Sequence, residues 1–336
     1  MEAGSANIDL SVLVAVYNAD KYLEECLESL LLQSVENMEV IIVNDGSKDQ
    51  SLQIIEKYKS MFSHIKIVSK KNEGTLLTRL EGMYYAKGKY IMFIDGDDTF
   101  VPYSLHEILE TAMKKNVDIL EFGYNLLDNN KNIFFKPNMG SSNALHDTMI
   151  EGTMNCFKLL GSYKLEVPLF KRIYCKKVCK KVLNYFLRFT DYKIRFQNVL
   201  SEDEFMTPLF FANAKSYYCV LHKIYNYTFQ TEGGITHNIE RDNNRMLKGA
   251  EDYMLACMYV SKELRKKKIL NVRGYFDYNM QGIDFFISRS QICKTSRVDI
   301  IKSIHKYYSI VDIVCNFMGR SLCSCIDAKK SSGFFM

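Results

Sequence analysis

Apolar positions in the first 124 residues follow two alternating rhythms. Short apolar runs at Leu10–Tyr17, Glu39–Asn44, Ile65–Ser69, Tyr90–Ile94 and Ile119–Tyr124 read as strands buried on both faces. Between them, Lys21–Gln33, Ser51–Lys59, Leu76–Ala86 and Ser104–Lys115 carry apolar residues three or four apart, the spacing of an amphipathic helix. Tyr22, Leu23, Cys26, Leu27, Leu30 and Leu31 show that spacing in the first of them. Strand–helix alternation of this length implies right-handed crossovers and an α/β fold on a parallel sheet. Downstream, 125–143 is rich in Asn, Gly and Ser and predicts loops or a hairpin. The stretch 145–188 reads as helical with a break near Pro168. Ser216–Leu221 and Tyr225–Gln230 read as a short β pair, ending in the turn signal Thr231-Glu232-Gly233-Gly234. Beyond His237 the pattern is helical and basic, so the expected division is a domain over 1–236 and a helical C-terminal extension over 237–336.

Length and composition narrow the class. The 336 residues, 47% apolar and 25% charged, suit one substantial globular domain with an appendage. No secretory pattern precedes Leu10, and Tyr307–Ile326, the most apolar stretch of spanning length, is broken by Asp312 and Arg320. A cytoplasmic protein is expected. Its ten cysteines, without zinc-type spacing, read as reduced thiols. The net charge of +5 is unevenly spread: 164–195 holds ten Lys/Arg against Glu166 and Asp191. Such an excess suits an anionic partner (lipid head groups, a lipid-linked diphosphate or an acidic glycan), and a solvated basic helix face is the plainer reading. Nothing matches a nucleic-acid-reading module.

Three acidic clusters follow strand-like or loop segments. Asp95-Gly96-Asp97-Asp98 ends the run Tyr90–Ile94, at the carboxyl edge where open α/β sheets bind ligands. Adjacent carboxylates repel unless a hard cation sits among them, and such a cation also touches substrate phosphates. The pattern therefore predicts a metal–diphosphate site, with Asp97 the metal ligand and Asp98 a cap for the following turn. Asn44-Asp45-Gly46-Ser47 ends the second strand, where Asp45 either accepts from a nucleotide or caps a helix. Ser201-Glu202-Asp203-Glu204 spells a capping box that places Glu202 and Asp203 in a first helical turn. There the helix dipole favours ionised carboxylates, as a general base requires.

Together these blocks resemble the family 2 glycosyltransferases, inverting nucleotide-sugar transferases of GT-A fold. The resemblance rests on Ser11-Val12-Leu13-Val14-Ala15-Val16-Tyr17-Asn18, Lys21-Tyr22-Leu23, Cys26-Leu27-Glu28-Ser29-Leu30 and Val43-Asn44-Asp45-Gly46-Ser47-Lys48-Asp49. Lys71-Asn72-Glu73-Gly74, the run from Gly88 to Asp98, and Glu202-Asp203 complete it, over roughly 8–236. It implies a Rossmann-like, mostly parallel sheet flanked by helices, with a nucleotide-sugar half over about 8–124 and an acceptor half over about 125–236. It further implies that Tyr17 and Asp45 bind the base and Arg79 the nucleotide or diphosphate. Asp95 would touch ribose or metal, and Asp97 would hold Mn²⁺ or Mg²⁺. Asp203 would be the general base, with Glu202 orienting it. His237 is a candidate to complete the metal shell, with an ordinary loop histidine as the alternative.

The implied reaction moves one sugar from a nucleotide-sugar, expected to be a UDP-sugar, to a hydroxyl of a glycan or lipid-linked acceptor in surface polysaccharide or lipooligosaccharide synthesis. Two departures stand out. Where the family reads Ala-Arg-Asn and then Gly, this chain reads Thr78-Arg79-Leu80-Glu81-Gly82. It also has no Trp, and so lacks the Gln-x-x-Arg-Trp signature of processive synthases. Two rivals remain. Ile94-Asp95-Gly96-Asp97-Asp98-Thr99 also spells the nucleophile loop of haloacid-dehalogenase-like phosphatases, with Asp95 as nucleophile, but that loop normally follows the first strand. A degenerate nucleotide-binding scaffold is the other. Three roles are open to the C-terminal extension: packing on the catalytic domain, forming a homodimer, or resting on an anionic membrane at the cytoplasmic face.

Overall fold

The computed structural model describes residues 7–128, 130–133, 145–162, 168–200 and 202–229, together with 248, 252, 255, 256, 259, 260 and 262–269. Strands β1 (Leu10–Val16), β2 (Met38–Asn44), β3 (Ile65–Ser69) and β4 (Tyr90–Asp95) alternate with helices α1 (Leu23–Leu31), α2 (Ser51–Tyr58) and α3 (Thr75–Tyr85). They pair in parallel in the order β3-β2-β1-β4, within a residue or two of the sequence expectation. There follow β5 (Thr99–Phe100), α4 (Leu105–Lys115) and β6 (Ile119–Leu127).

Past β6 the structure departs from the expected pattern. The stretch read as helical up to residue 188 contains two strands, β7 (Met149–Glu151) and β8 (Arg172–Cys175), besides helices α5 (Thr153–Ser162) and α6 (Lys176–Leu187). The short β8 hid in a basic run because Arg172 is wholly buried, which a hydrophobicity pattern cannot anticipate. After α7 (Tyr192–Arg195) and α8 (Glu202–Phe211), the expected β pair is a single strand, β9 (Ser216–Thr228). Exposed Leu221, His222 and Lys223 interrupt its apolar pattern where its register against β6 shifts at Gly123.

β8 runs antiparallel to both β4 and β6, so the full order β3-β2-β1-β4-β8-β6-β9-β5 is a mixed sheet whose first four strands are parallel. Because β8 is antiparallel to both of its neighbours, β6 and β9 point the same way as β4. The carboxyl ends of β1, β2, β4, β6 and β9, and the start of β8, therefore share one edge. Alternate strand residues feed two cores. Leu13, Ile41, Phe93 and Tyr174 pack with α3, α5, α6 and α8 on one face, and Val12, Ile42, Met92 and Leu120 with α1, α2 and α4 on the other. Ala256, Tyr259, Val260, Leu264 and Ile269 join the first core, so the described part of the C-terminal extension packs on the domain. Tyr185 donates to the Tyr259 carbonyl at 2.9 Å, and Arg188 pairs with Glu263 at 2.9 Å.

The basic window is partly internal. Lys171 and Arg172 are buried and meet the buried carboxylate of Glu121 at 3.1 and 2.7 Å. Paired in this way, they contribute nothing to an anion-binding surface. Lys177, Lys180 and Lys181 stay exposed along α6.

Candidate active site

At the end of β2, Asp45 is buried, and both of its oxygens are engaged. Oδ1 accepts from the Glu73 N–H at 2.9 Å and pairs with Lys70, while Oδ2 accepts from the Gly74 N–H at 2.8 Å. The carboxylate thereby fastens the loop that leads into α3. Gly74 suits that loop doubly: its φ is +93°, and a Cβ there would sit 2.8 Å from the Asn198 Cα. Tyr17, just past β1, is half exposed. Its loop is stitched to the one after Asp45, with Asn18 N–H donating to Ser47 Oγ at 3.0 Å and Lys48 N–H to Asn18 Oδ1 at 2.8 Å. Tyr17 and Asp45 thus stand on two tied loops at the same sheet edge.

Arg79 joins the other two acidic clusters. Its guanidinium, 4% exposed on α3, donates through Nη2 to Asp95 Oδ1 at 2.8 Å. Through Nη1 it donates to Glu202 Oε1 at 2.8 Å and Asp203 Oδ1 at 2.9 Å. Residues more than 100 positions apart in the chain therefore meet around one cation. The contacts of Arg79 are to carboxylates, whereas the resemblance placed it on the nucleotide or diphosphate. The N–H of Leu169, in the turn before β8, also reaches the Asp203 carboxylate. Burial raises the carboxyl pKa values of Glu202 and Asp203, and Arg79 opposes the rise. Three carboxylates face one guanidinium, so negative charge stays in excess.

Asp97 and Asp98 part company. Asp98 is buried, accepting from the Tyr225 hydroxyl at 2.6 Å and the Thr228 N–H at 2.8 Å. Instead of capping the turn that follows, it fastens the end of β9 to the end of β4. Asp97 is only partly buried. Burial and the neighbouring Asp95 push its pKa up to about 6. Among the described residues no three ligating side chains converge on one point. Asp95 and Asp97 still fit Mg²⁺ or Mn²⁺, hard ions that take one or two carboxylates and complete their shell with substrate phosphates. His237 lies outside the described residues. Sequence reasoning missed Lys70, Leu169, Tyr225 and Thr228. Their partners are at least 25 residues away, and two of them act through the backbone, which leaves no local signal.

Fold and site together define an α/β scaffold with an acidic carboxyl edge. Residues 11–145 match the model of Glycosyl transferase family 2. Among curated proteins, the putative glycosyltransferase EpsH of Bacillus subtilis is 45% identical over 103 residues, 31% of this chain and 30% of EpsH. The minor teichoic acid biosynthesis protein GgaB of the same organism is 35% identical over 125 residues, 36% of this chain and 14% of GgaB. The chain thus matches less than a third of the length of either relative. Among solved structures, Staphylococcus aureus TarS 1-349 in complex with UDP-GlcNAc superposes with a TM-score of 0.53 at 19% identity. That match covers 84% of this chain and 82% of that one, a likeness of fold.

Proposed function

We propose that this protein is an inverting glycosyltransferase that moves one sugar from a UDP-sugar to a hydroxyl of a glycan or lipid-linked acceptor. The observation that carries the reading is the Arg79 bridge, which links Asp95 at the end of β4 to Glu202 and Asp203 at the start of α8. That is the juxtaposition a displacement needs, with the leaving group on one side and the base on the other. Tyr17 and the loop fastened by Asp45 would receive the nucleotide. Asp97, with Asp95 beside it, would hold Mn²⁺ or Mg²⁺, which supplies Lewis-acid neutralisation of the leaving diphosphate.

Asp203 would take the proton of the acceptor hydroxyl as its oxygen bonds to the anomeric carbon. The bond from that carbon to the diphosphate breaks on the opposite face, nucleoside diphosphate departs, and configuration inverts. A base so positioned contributes about 10²–10⁴-fold. Arg79 and Glu202 would keep Asp203 oriented, and Arg79 favours its ionised form. The family match, and the likeness to a minor teichoic acid biosynthesis protein, support a role in the synthesis of a polymer of that kind.

The test is a panel of nucleotide sugars with Mn²⁺, read by thermal shift and slow donor hydrolysis, on wild type and Asp97→Ala. Metal-dependent stabilisation by one UDP-sugar, lost in the variant, is expected. Silence toward every nucleotide sugar, with phosphate released from a simple monoester, would overturn the reading in favour of a phosphatase.

A further inference from the structure

Three aromatic rings stack at the carboxyl edge, on the side away from the nucleotide loops. Phe170 lies between Tyr225, at 4.5 Å and 14°, and Tyr227, at 5.3 Å and 15°. Tyr225 and Tyr227 are two residues apart on β9 and so share a face of the strand. The inner rings serve the fold: Phe170 and Tyr225 are buried, and the Tyr225 hydroxyl is taken by Asp98. Tyr227, at the outer end of the stack, stays partly exposed.

The backbone around these rings fixes where Tyr227 stands. Thr228, the next residue, donates its N–H to Asp98, which adjoins Asp97. The N–H of Leu169, the residue before Phe170, faces Asp203 closely enough to lower that carboxyl's pKa. Tyr227 is therefore tethered on one side to the turn bearing Asp97 and stacked on the other against the turn that holds Asp203. Burial, reinforced by the charges of Asp98, Asp95, Asp97 and Asp203, raises the pKa of its hydroxyl, so the phenol stays protonated at neutral pH.

From this placement we infer that Tyr227, backed by Phe170, is the aromatic platform on which the acceptor presents a pyranose ring to Asp203. The inference rests on the glycosyltransferase reading and deepens it by naming the acceptor's class at the reacting end. A pyranose offers a patch of axial C–H bonds on one face, and the electron-rich face of an aromatic ring attracts such polarised hydrogens. A protonated phenol at the edge of the platform can donate to a ring hydroxyl, whereas the carboxylates around it only accept. The acceptor is assigned rather than the donor because β9 lies four strands beyond β1 in the sheet order, and because Phe170 adjoins the residue that touches the base candidate.

The test compares wild type, Tyr227→Phe and Tyr227→Leu in full-length protein. Methyl β-glucopyranoside, methyl β-galactopyranoside and methyl N-acetyl-β-glucosaminide serve as probes in the presence of UDP and Mn²⁺. Wild type should broaden the axial ring protons of at least one probe in NMR. The Phe variant should keep that effect, and the Leu variant should weaken probe affinity about fivefold to tenfold. Where transfer to the probe is measurable, the acceptor KM should rise by the same factor while the donor KM moves less than twofold. A rise in donor KM instead would assign the platform to the donor sugar and overturn the inference. Equal broadening by wild type and Leu variant, or none by either, would reduce Tyr227 to a packing residue. If wild type binds no nucleotide sugar at all, the glycosyltransferase reading has failed, and the UDP-sugar thermal shift, run alongside, tells the two failures apart.

Discussion

At Asp97 the environment works against ionisation, and the sign can be followed through pH. Its carboxyl is raised from the ordinary aspartate value to about 6, so the folded protein binds this proton more tightly than the unfolded chain does. The stability contributed by the protonated form is full below about pH 4 and is lost as pH rises through about 6. In EDTA, Asp97→Asn should therefore match wild type near pH 4 and exceed it above pH 6.5, by no more than about 3 kcal/mol for a shift of this size. Urea denaturation at the two pH values checks it, and a constant difference would refute the assignment. With Mn²⁺ present the order at neutral pH should reverse, because binding to the native state alone stabilises it. Asp203 is held differently, by Arg79 and the Leu169 N–H. Single-turnover transfer should fall at least 10²-fold in Asp203→Ala and by at least as much in Asp97→Ala. A milder loss in Asp97→Ala would argue against metal assistance. The acidic residues were legible as strand-end clusters. What binds each was not, because Arg79 meets Glu202 and Asp203 across more than 120 residues of sequence.

At the scale of elements, loop geometry holds the proposed donor side. The loop before α3 is fixed by Asp45 and closes on Asn198, whose N–H donates to the Glu73 carbonyl at 2.9 Å. Gly74→Ala must strain a positive φ and push against the Asn198 backbone, so it should destabilise the fold by about 1–3 kcal/mol. It should also raise the donor KM several-fold more than the acceptor KM, since Asp45 loses its amide partners. Equal effects on both would show that the loop does not belong to the donor side. The first four strands were readable because each is an unbroken apolar run closed by turn residues, and helices at regular spacing separate them. β8 was not. It has four residues, and its buried Arg172 is tolerated only because Glu121 on neighbouring β6 neutralises it. β9 read as two strands because its exposed middle breaks the apolar pattern at the register shift, while main-chain pairing carries the strand through.

For the molecule as a whole, the described C-terminal residues cover the aromatic face of α6 and the residues after it. Phe189 and Phe196 pack edge-on to Tyr259 at 5.4 and 5.3 Å. Truncation after residue 236 should expose those rings, lower the melting temperature and promote aggregation. Unchanged melting would make the extension independent of the domain. No described helix is long and apolar enough to cross a membrane. The exposed α6 lysines, at about 1 kcal/mol each near an anionic surface, should retain the full-length protein on vesicles containing phosphatidylserine more than on neutral ones. Retention that is equal on the two, or unaltered by charge reversal at Lys177, Lys180 and Lys181, would remove the membrane from the account.

The sequence by itself determined the parallel half of the sheet, the order of its helices and the acidic strand ends, because these follow from local periodicity and turn chemistry. It also carried the match of residues 11–145 to a glycosyltransferase family model, through blocks whose spacing is specific. Tertiary structure alone decided which carboxylates share Arg79, that Asp98 fastens β9 to the end of β4, and that two residues of the basic window are buried against Glu121. The physical reason is the same in each case. Charge pairing and aromatic stacking depend on distance in space, and here that distance is set by a sheet in which β8 reverses direction between two strands that do not.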